Sequence, residues 1–205
     1  MIVLVTCGHI ERTAKLERST KETLINVEVN IDGTGKTHVK TGLTFIDHLI
    51  SAISTHSLVD VSLIAKSHDG LLHHLVEDIS ISLSQSISNA LGDRSQIMRL
   101  GSALVPMDDS LAYASLDLIK RQYSNIQLKL TRDNLEGIPR EDLEHFVNSF
   151  AQNLNACTHI IVEYGNNDHH KIECAVKAFA VAFRTASCID KKRKWKGIPS
   201  SKGKM

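Results

Sequence analysis

A metal-ligand pattern is written twice in this chain. His73-His74-x-x-Glu77 returns as His169-His170-x-x-Glu173, and each copy has a further histidine upstream: His48 lies 25 residues before His73, and His145 lies 24 before His169. Eleven histidines in 205 residues make one adjacent pair unsurprising. Two pairs with the same acidic partner and the same distant histidine point instead to a duplicated fold, whose repeat unit carries half of a two-metal site.

The spacing explains why. On a helix, His73 and Glu77 (i, i+4) share a face, as do His74 and Glu77 (i, i+3). Adjacent histidines project ~100° apart around the axis, so the two members of each pair serve different ions. Each half offers three histidines and a glutamate, and both pairs fall at predicted helix N-termini, where the macrodipole favours the neutral, ligating imidazole. Imidazole with carboxylate suits Mn, Fe, Co, Ni or Zn better than Ca or Mg. With no cysteine in the pattern, a structural thiolate zinc site is disfavoured.

The rest of the chain carries the same repeat. Ile25, Val27, Val29 and Ile31 alternate with polar residues as in a half-buried strand, and Asp32-Gly-Thr-Gly35 predicts a hairpin into a strand over residues 36–41. A helix over 45–56, a strand over 59–65 and a helix over 73–91 follow, with Gly92 as its stop. The second half predicts strands near 101–106, 110–119 and 124–131. It continues with a helix over 139–156, whose Glu141 and Asp142 complement the dipole of its first turn, a strand over 159–164 and a helix over 169–189. This divides the chain into a first α+β half-domain (1–95), a second (96–190) and a basic tail (191–205).

Composition narrows the class. A net charge of +1 gives no reason to expect nucleic acid or an anionic membrane as the main partner. No apolar run approaches the ~20 residues of a membrane span. Residues 1–5 read as a strand rather than a signal peptide. The four cysteines lack CxxC spacing, so a reduced, cytoplasmic protein is expected. Arg99, Arg121, Lys177 and the segment Pro199-Ser200-Ser201-Lys202-Gly203 are candidates for an anion pocket, Lys177 lying one helical turn beyond Glu173. His56, eight residues after His48, shares that histidine's helix face.

Together these residues resemble the imidazoleglycerol-phosphate dehydratase family. The resemblance runs from about residue 12 to 203 through the segments Arg18-Ser-Thr-Lys-Glu22-Thr23, Thr41-Gly-Leu-Thr-Phe-Ile-Asp-His48, His73-His74-Leu-Val-Glu77-Asp78, Pro106-Met-Asp-Asp109, Asn166-Asn-Asp-His-His-Lys-Ile-Glu173 and Pro199-Ser-Ser-Lys-Gly203. It implies two fused, duplicated α+β half-domains, each a four-stranded sheet with two helices on one face (ribosomal protein S5 domain 2-like). It also implies dehydration of D-erythro-imidazole glycerol phosphate to imidazole acetol phosphate in histidine biosynthesis. Two Mn2+ ions per active site and a homo-oligomer of 24 subunits, with metal sites where subunits meet, are part of the same expectation. One ion would be held by His73, Glu77, His145 and His169, the other by His48, His74, His170 and Glu173. Glu22 would be the acid/base, and Arg99, Arg121, Lys177, Ser200, Ser201 and Lys202 would contact phosphate. A two-metal phosphoesterase and a non-catalytic, metal-stapled assembly are the competing readings. The chain departs from the family where Leu71 and Leu72 replace two acidic residues before the first histidine pair, leaving Asp69 or His68 to substitute, and where Ile119-Lys120 replaces Ser-Gly before Arg121.

Overall fold

Two sheets of identical topology account for the duplication. The structure, a computed structural model, describes residues 12–192 and 197–200. In the first half, β1 (Thr13–Ser19), β2 (Thr23–Asn30), β3 (Thr37–Lys40) and β4 (Asp60–Ser67) form a sheet in the order β1-β2-β4-β3, with α1 (Thr44–Ser57) and α2 (Leu72–Ala90) following β3 and β4. In the second, β5 (Leu100–Met107), β6 (Ser110–Asp117), β7 (Tyr123–Gln127) and β10 (Cys157–Tyr164) run β5-β6-β10-β7, with α3 (Arg140–Asn153) and α4 (Asp168–Ser187) in the matching positions. In both sheets the last pair, β3 with β4 and β7 with β10, is parallel. A short hairpin, β8 (Asn134–Leu135) and β9 (Ile138–Pro139), precedes α3.

Alternation puts one face of each sheet inside. Ile25, Val27, Val29, Val61 and Leu63 from the first, and Ala112, Ala114, Leu116 and Ile160 from the second, are buried. They join one apolar cluster with the helices' inner residues, including Leu49, Ile79, Leu83, Phe146, Phe179 and Phe183. At ~25 cal/mol per Å² of apolar surface buried, this cluster is the main source of stability. α4 lies tightly on β5 because Gly101 has no side chain: a Cβ there would run into the Ala182 carbonyl and the Ala186 amide. Among the described residues, no helix is long and apolar enough to cross a membrane.

The structure corrects one prediction and adds three strands, β1 and the short β8–β9 hairpin. The 32–35 turn does not make a hairpin; β3 pairs with β4 instead of β2. Asp60, at the start of β4, accepts hydrogen bonds from the amides of Thr34 and Lys36 (both 2.8 Å) and draws the loop across the sheet. β1 escaped the periodicity because it is an edge strand, with every residue at least partly exposed. The strand predicted for residues 1–5 lies outside the described residues.

Candidate metal centre

The first histidine pair sits in the first turn of α2, which packs against α3. Serines on α2 allow that approach and tie it down: Ser80 Oγ donates to the Phe146 carbonyl (2.6 Å) and Ser84 Oγ to that of Phe150 (2.5 Å). This brings His73 and Glu77, one turn apart, to His145 on α3. His145 Nε2 lies 3.1 Å from Glu77 Oε1, and the His73 and His145 rings are 4.8 Å apart. One donor atom from each of the three falls within 4.8 Å of the others.

The second pair repeats the plan on α4 and α1. His48 Nε2 is 3.0 Å and His169 Nε2 3.2 Å from the same oxygen, Glu173 Oε2. These three donors also lie within 4.8 Å of one another. Glu173 is buried, which pushes its carboxyl up. Hydrogen bonds from Lys177 (2.7 Å) and His48 outweigh that and hold it at about 2. A cavity of about 370 Å³ opens beside this triad, lined by Thr44, Phe45, His48, Glu136, His169 and Glu173. A hollow of similar size on the outer face of the first sheet contains none of the candidate residues.

Every member of the two pairs has a carboxylate at Nδ1. Asp142 Oδ1 is 2.6 Å from His73 Nδ1, Asp69 Oδ2 2.7 Å from His74, Glu136 Oε1 3.2 Å from His169 and Asp109 Oδ1 2.5 Å from His170. With Nδ1 carrying the shared proton, Nε2 keeps its lone pair, the arrangement that orients metal-binding histidines. The hydrogen bond to His170, joined by the amides of Asn166 and Asn167, drives the Asp109 carboxyl well below the usual range. The Asp69 contact raises the pKa of His74. Adjacent rings diverge, by 63° for His73 and His74 and 85° for His169 and His170, as their helix positions require.

Within one chain, His169, assigned by the resemblance to the set of His73, Glu77 and His145, faces α1 and lies beside His48 and Glu173, because i, i+4 spacing on α4 puts it on the same face as Glu173. His74 and His170 belong to neither triad. His74 instead meets Asp69 and, at 3.6 Å, Glu22.

Glu22 sits in the turn between β1 and β2, its amide bonded to Thr20 Oγ1. Asp78 on α2 anchors that turn, accepting from Arg18 Nε (2.7 Å) and Thr23 Oγ1 (2.5 Å). Of the basic candidates, Arg99 makes a bidentate pair with Asp117 (2.6 and 2.8 Å) and donates to the Pro199 carbonyl (2.7 Å), so the arginine and the 199–200 segment do come together. Lys177 is paired with Glu173. Arg121 is exposed in the turn before β7. Ser200 is described beside Pro199, whereas Ser201 and Lys202 lie outside the described residues. Burial lowers the pKa of His56, and the Lys177 ammonium lowers it further.

Sequence reasoning found Asp69 but missed Asp142 and Glu136 and gave Asp109 no role. Asp142 reads as a first-turn dipole charge, yet it is 5% exposed, which only the packing of α3 on α2 reveals.

The sequence model of the family described as imidazoleglycerol-phosphate dehydratase matches residues 41–183. An imidazoleglycerol-phosphate dehydratase of Dehalococcoides mccartyi (strain CBDB1) is 41% identical over 196 residues, covering 95% of this chain and 98% of its own. One of Chlorobium phaeobacteroides (strain BS1) is 44% identical over 193 residues, covering 94% of each. Among solved structures, that of the enzyme from Pyrococcus furiosus in complex with (S)-C348 superimposes with a TM-score of 0.78 at 33% identity, covering 93% of this chain and 100% of its own. That from Staphylococcus aureus gives 0.76 at 28%, covering 85% and 97%.

Proposed function

The chain belongs to the imidazoleglycerol-phosphate dehydratase family, dehydratases of histidine biosynthesis, and we propose that its two triads hold two Mn2+ ions at which D-erythro-imidazole glycerol phosphate loses water to give imidazole acetol phosphate. The observation that carries this reading is the Nδ1–carboxylate contact on all four paired histidines, which turns the other ring nitrogen, Nε2, towards the ion as the ligating atom. The donor set fits such ions: imidazole and carboxylate, with no thiolate. When bound, the ions supply Lewis acidity and a template for the imidazole of the substrate.

The chain's own residues do the rest. His73, Glu77 and His145 form one arm and His48, His169 and Glu173 the other. His74 and His170, outside both, each complete a site on a neighbouring copy of the chain, so that four ligands surround each ion and assembly into a 24-subunit homo-oligomer makes the active site. Glu22, 3.6 Å from His74, takes the proton from the substrate carbon and passes it to the departing hydroxyl, which leaves as water, and the enol so formed tautomerises to the ketone. Arg99, Arg121, Lys177, Ser200, Ser201 and Lys202 hold the phosphate and thereby orient the reacting end. Each triad bridges the half-domains 1–95 and 96–190, one at the α2–α3 contact and the other at the α1–α4 contact, and the tail 191–205 carries the phosphate segment. The enzyme works in the cytoplasm.

The test is a dehydratase assay on metal-stripped protein, with and without Mn2+, alongside its particle size. Turnover and the large particle should both depend on the metal. Full turnover of Glu22→Gln with both ions bound would remove that residue from the mechanism, and an apo protein of unchanged size would exclude ligands shared between chains.

A further inference from the structure

Three facts meet at Asp142. It lies three residues before His145 on α3, so that one helix face presents both. It is 5% exposed, and its Oδ1 is 2.6 Å from His73 Nδ1, while the His73 ring stands 4.8 Å from that of His145. In the repeat, the residue three before His48 is Phe45, whose ring lies 5.0 Å from that of His169. The second triad therefore has an aromatic ring where the first has a carboxylate. The first triad is also the one whose histidine pair follows Leu71 and Leu72 in place of acidic residues.

We propose that Asp142 is a positioning residue for His73, receiving its Nδ1–H so that the tautomer and ring direction are fixed and Nε2 is presented to the ion beside His145. α3 thus supplies one ligand and the group that aims another, and the orienting carboxylate absent from the segment before His73 comes from a different helix. The inference rests on the reading of His73 as a ligand.

The test is a Mn2+ titration of the metal-stripped, full-length protein, followed by the EPR signal of free Mn2+, with thermal midpoint and particle size measured on the same samples. Wild type should show two sites, and His73→Ala should lose one. Asp142→Leu should weaken one of the two sites by about 10–100-fold. The thermal midpoint should stay near wild type, because the His73 side chain is 53% exposed and water can take up its freed N–H. Asp142→Asn, which keeps an acceptor oxygen, should weaken the same site by a smaller factor than Asp142→Leu, and that weakening stands as the test if Asp142→Leu fails to fold. Wild-type affinity at both sites in Asp142→Asn and in Asp142→Leu, with one site lost in His73→Ala, overturns the inference. So does an Asp142→Leu protein that loses both sites and its particle while Asp142→Asn binds as wild type, since Asp142 would then serve the fold alone. Two intact sites in His73→Ala overturn the ligand reading itself, and this inference with it.

Discussion

The two triads share a backbone plan but not their support. In the first, the fixed charge is on the histidine: buried Asp142 holds His73, while Glu77 is 38% exposed and the residue one turn on is Ile81. In the second, it is on the glutamate: Glu173 is 8% exposed and paired with Lys177, while His169 leans on Phe45 and on Glu136 from the β8–β9 hairpin. The helix starts differ too. α4 is capped by Asn167, whose side chain accepts from the His169 amide, and anchored by Asp168; α2 begins at Leu71 with no side-chain cap. Duplication preserved the spacing of the ligands and let the contacts that hold them diverge. The requirement on the donor atoms is geometric, and more than one set of neighbours meets it.

If the triads are equal partners in the chemistry, unequal support should not matter once a ligand is removed. His145→Ala and His48→Ala should each lower turnover on the order of 10³-fold, since losing one ion forfeits several kcal/mol of transition-state stabilisation. Steady-state assays at saturating Mn2+ check this. A variant that kept a tenth of wild-type activity would make its triad a structural staple.

The helix starts should separate the halves in stability. Burial pushes the Asp168 carboxyl up, but the Lys171 ammonium and the amides of Arg132 and Thr131 prevail and hold it at about 2. Asp168→Leu, which copies the first half, strands a buried Lys171 and should cost about 3–5 kcal/mol at neutral pH. Because the folded pKa is depressed from the ordinary 3.8 to about 2, about 2 kcal/mol of this depends on pH, full above 3.8 and lost as pH falls through 2. The reverse change, Leu72→Asp, gains at most about 1 kcal/mol from the helix dipole. Thermal midpoints between pH 2 and 7 measure both, and a pH-independent loss in Asp168→Leu would show that the carboxylate's charge is not the anchor.

Exchanging the glutamate's partner is a finer probe. Lys177→Met should cost about 2 kcal/mol, the scale of a hydrogen bond to a charged group. It should also raise the Glu173 carboxyl from about 2 towards its ordinary 4.5, so the difference from wild type is largest above pH 4.5 and closes towards pH 2. Ile81→Lys, placed beside the more exposed Glu77, should gain only about 0.3–0.5 kcal/mol. Equal and opposite effects would mean that burial does not distinguish the two glutamates.

What could be read from the sequence follows the same division. The eight candidate ligands, the repeat and all four helices follow from spacing and period, which are local. The place of His169 beside His48 depends on which helix faces it, and the β3–β4 pairing depends on Asp60, 24 residues from Lys36; both are contacts at long range. Asp142 was visible as a first-turn acid but not as a buried one. Its burial follows from how α2 and α3 pack, which the serines at 80 and 84 govern and no periodicity reports.

The smallest effect falls on the most exposed support. Glu136 is 53% exposed in the turn of the β8–β9 hairpin and 3.2 Å from His169 Nδ1, whereas Asp142 is buried at 2.6 Å from His73. An exposed pair of this kind contributes less than about 1 kcal/mol, so Glu136→Gln should weaken Mn2+ binding less than about fivefold. His169 keeps its aim from the Phe45 ring packed against it, which the substitution leaves untouched. Titrating Glu136→Gln beside Asp142→Asn therefore asks whether aromatic packing can replace a carboxylate in directing a ligand. A loss in Glu136→Gln as large as in Asp142→Asn would mean that both halves rely on the Nδ1 hydrogen bond, and that Phe45 only fills space.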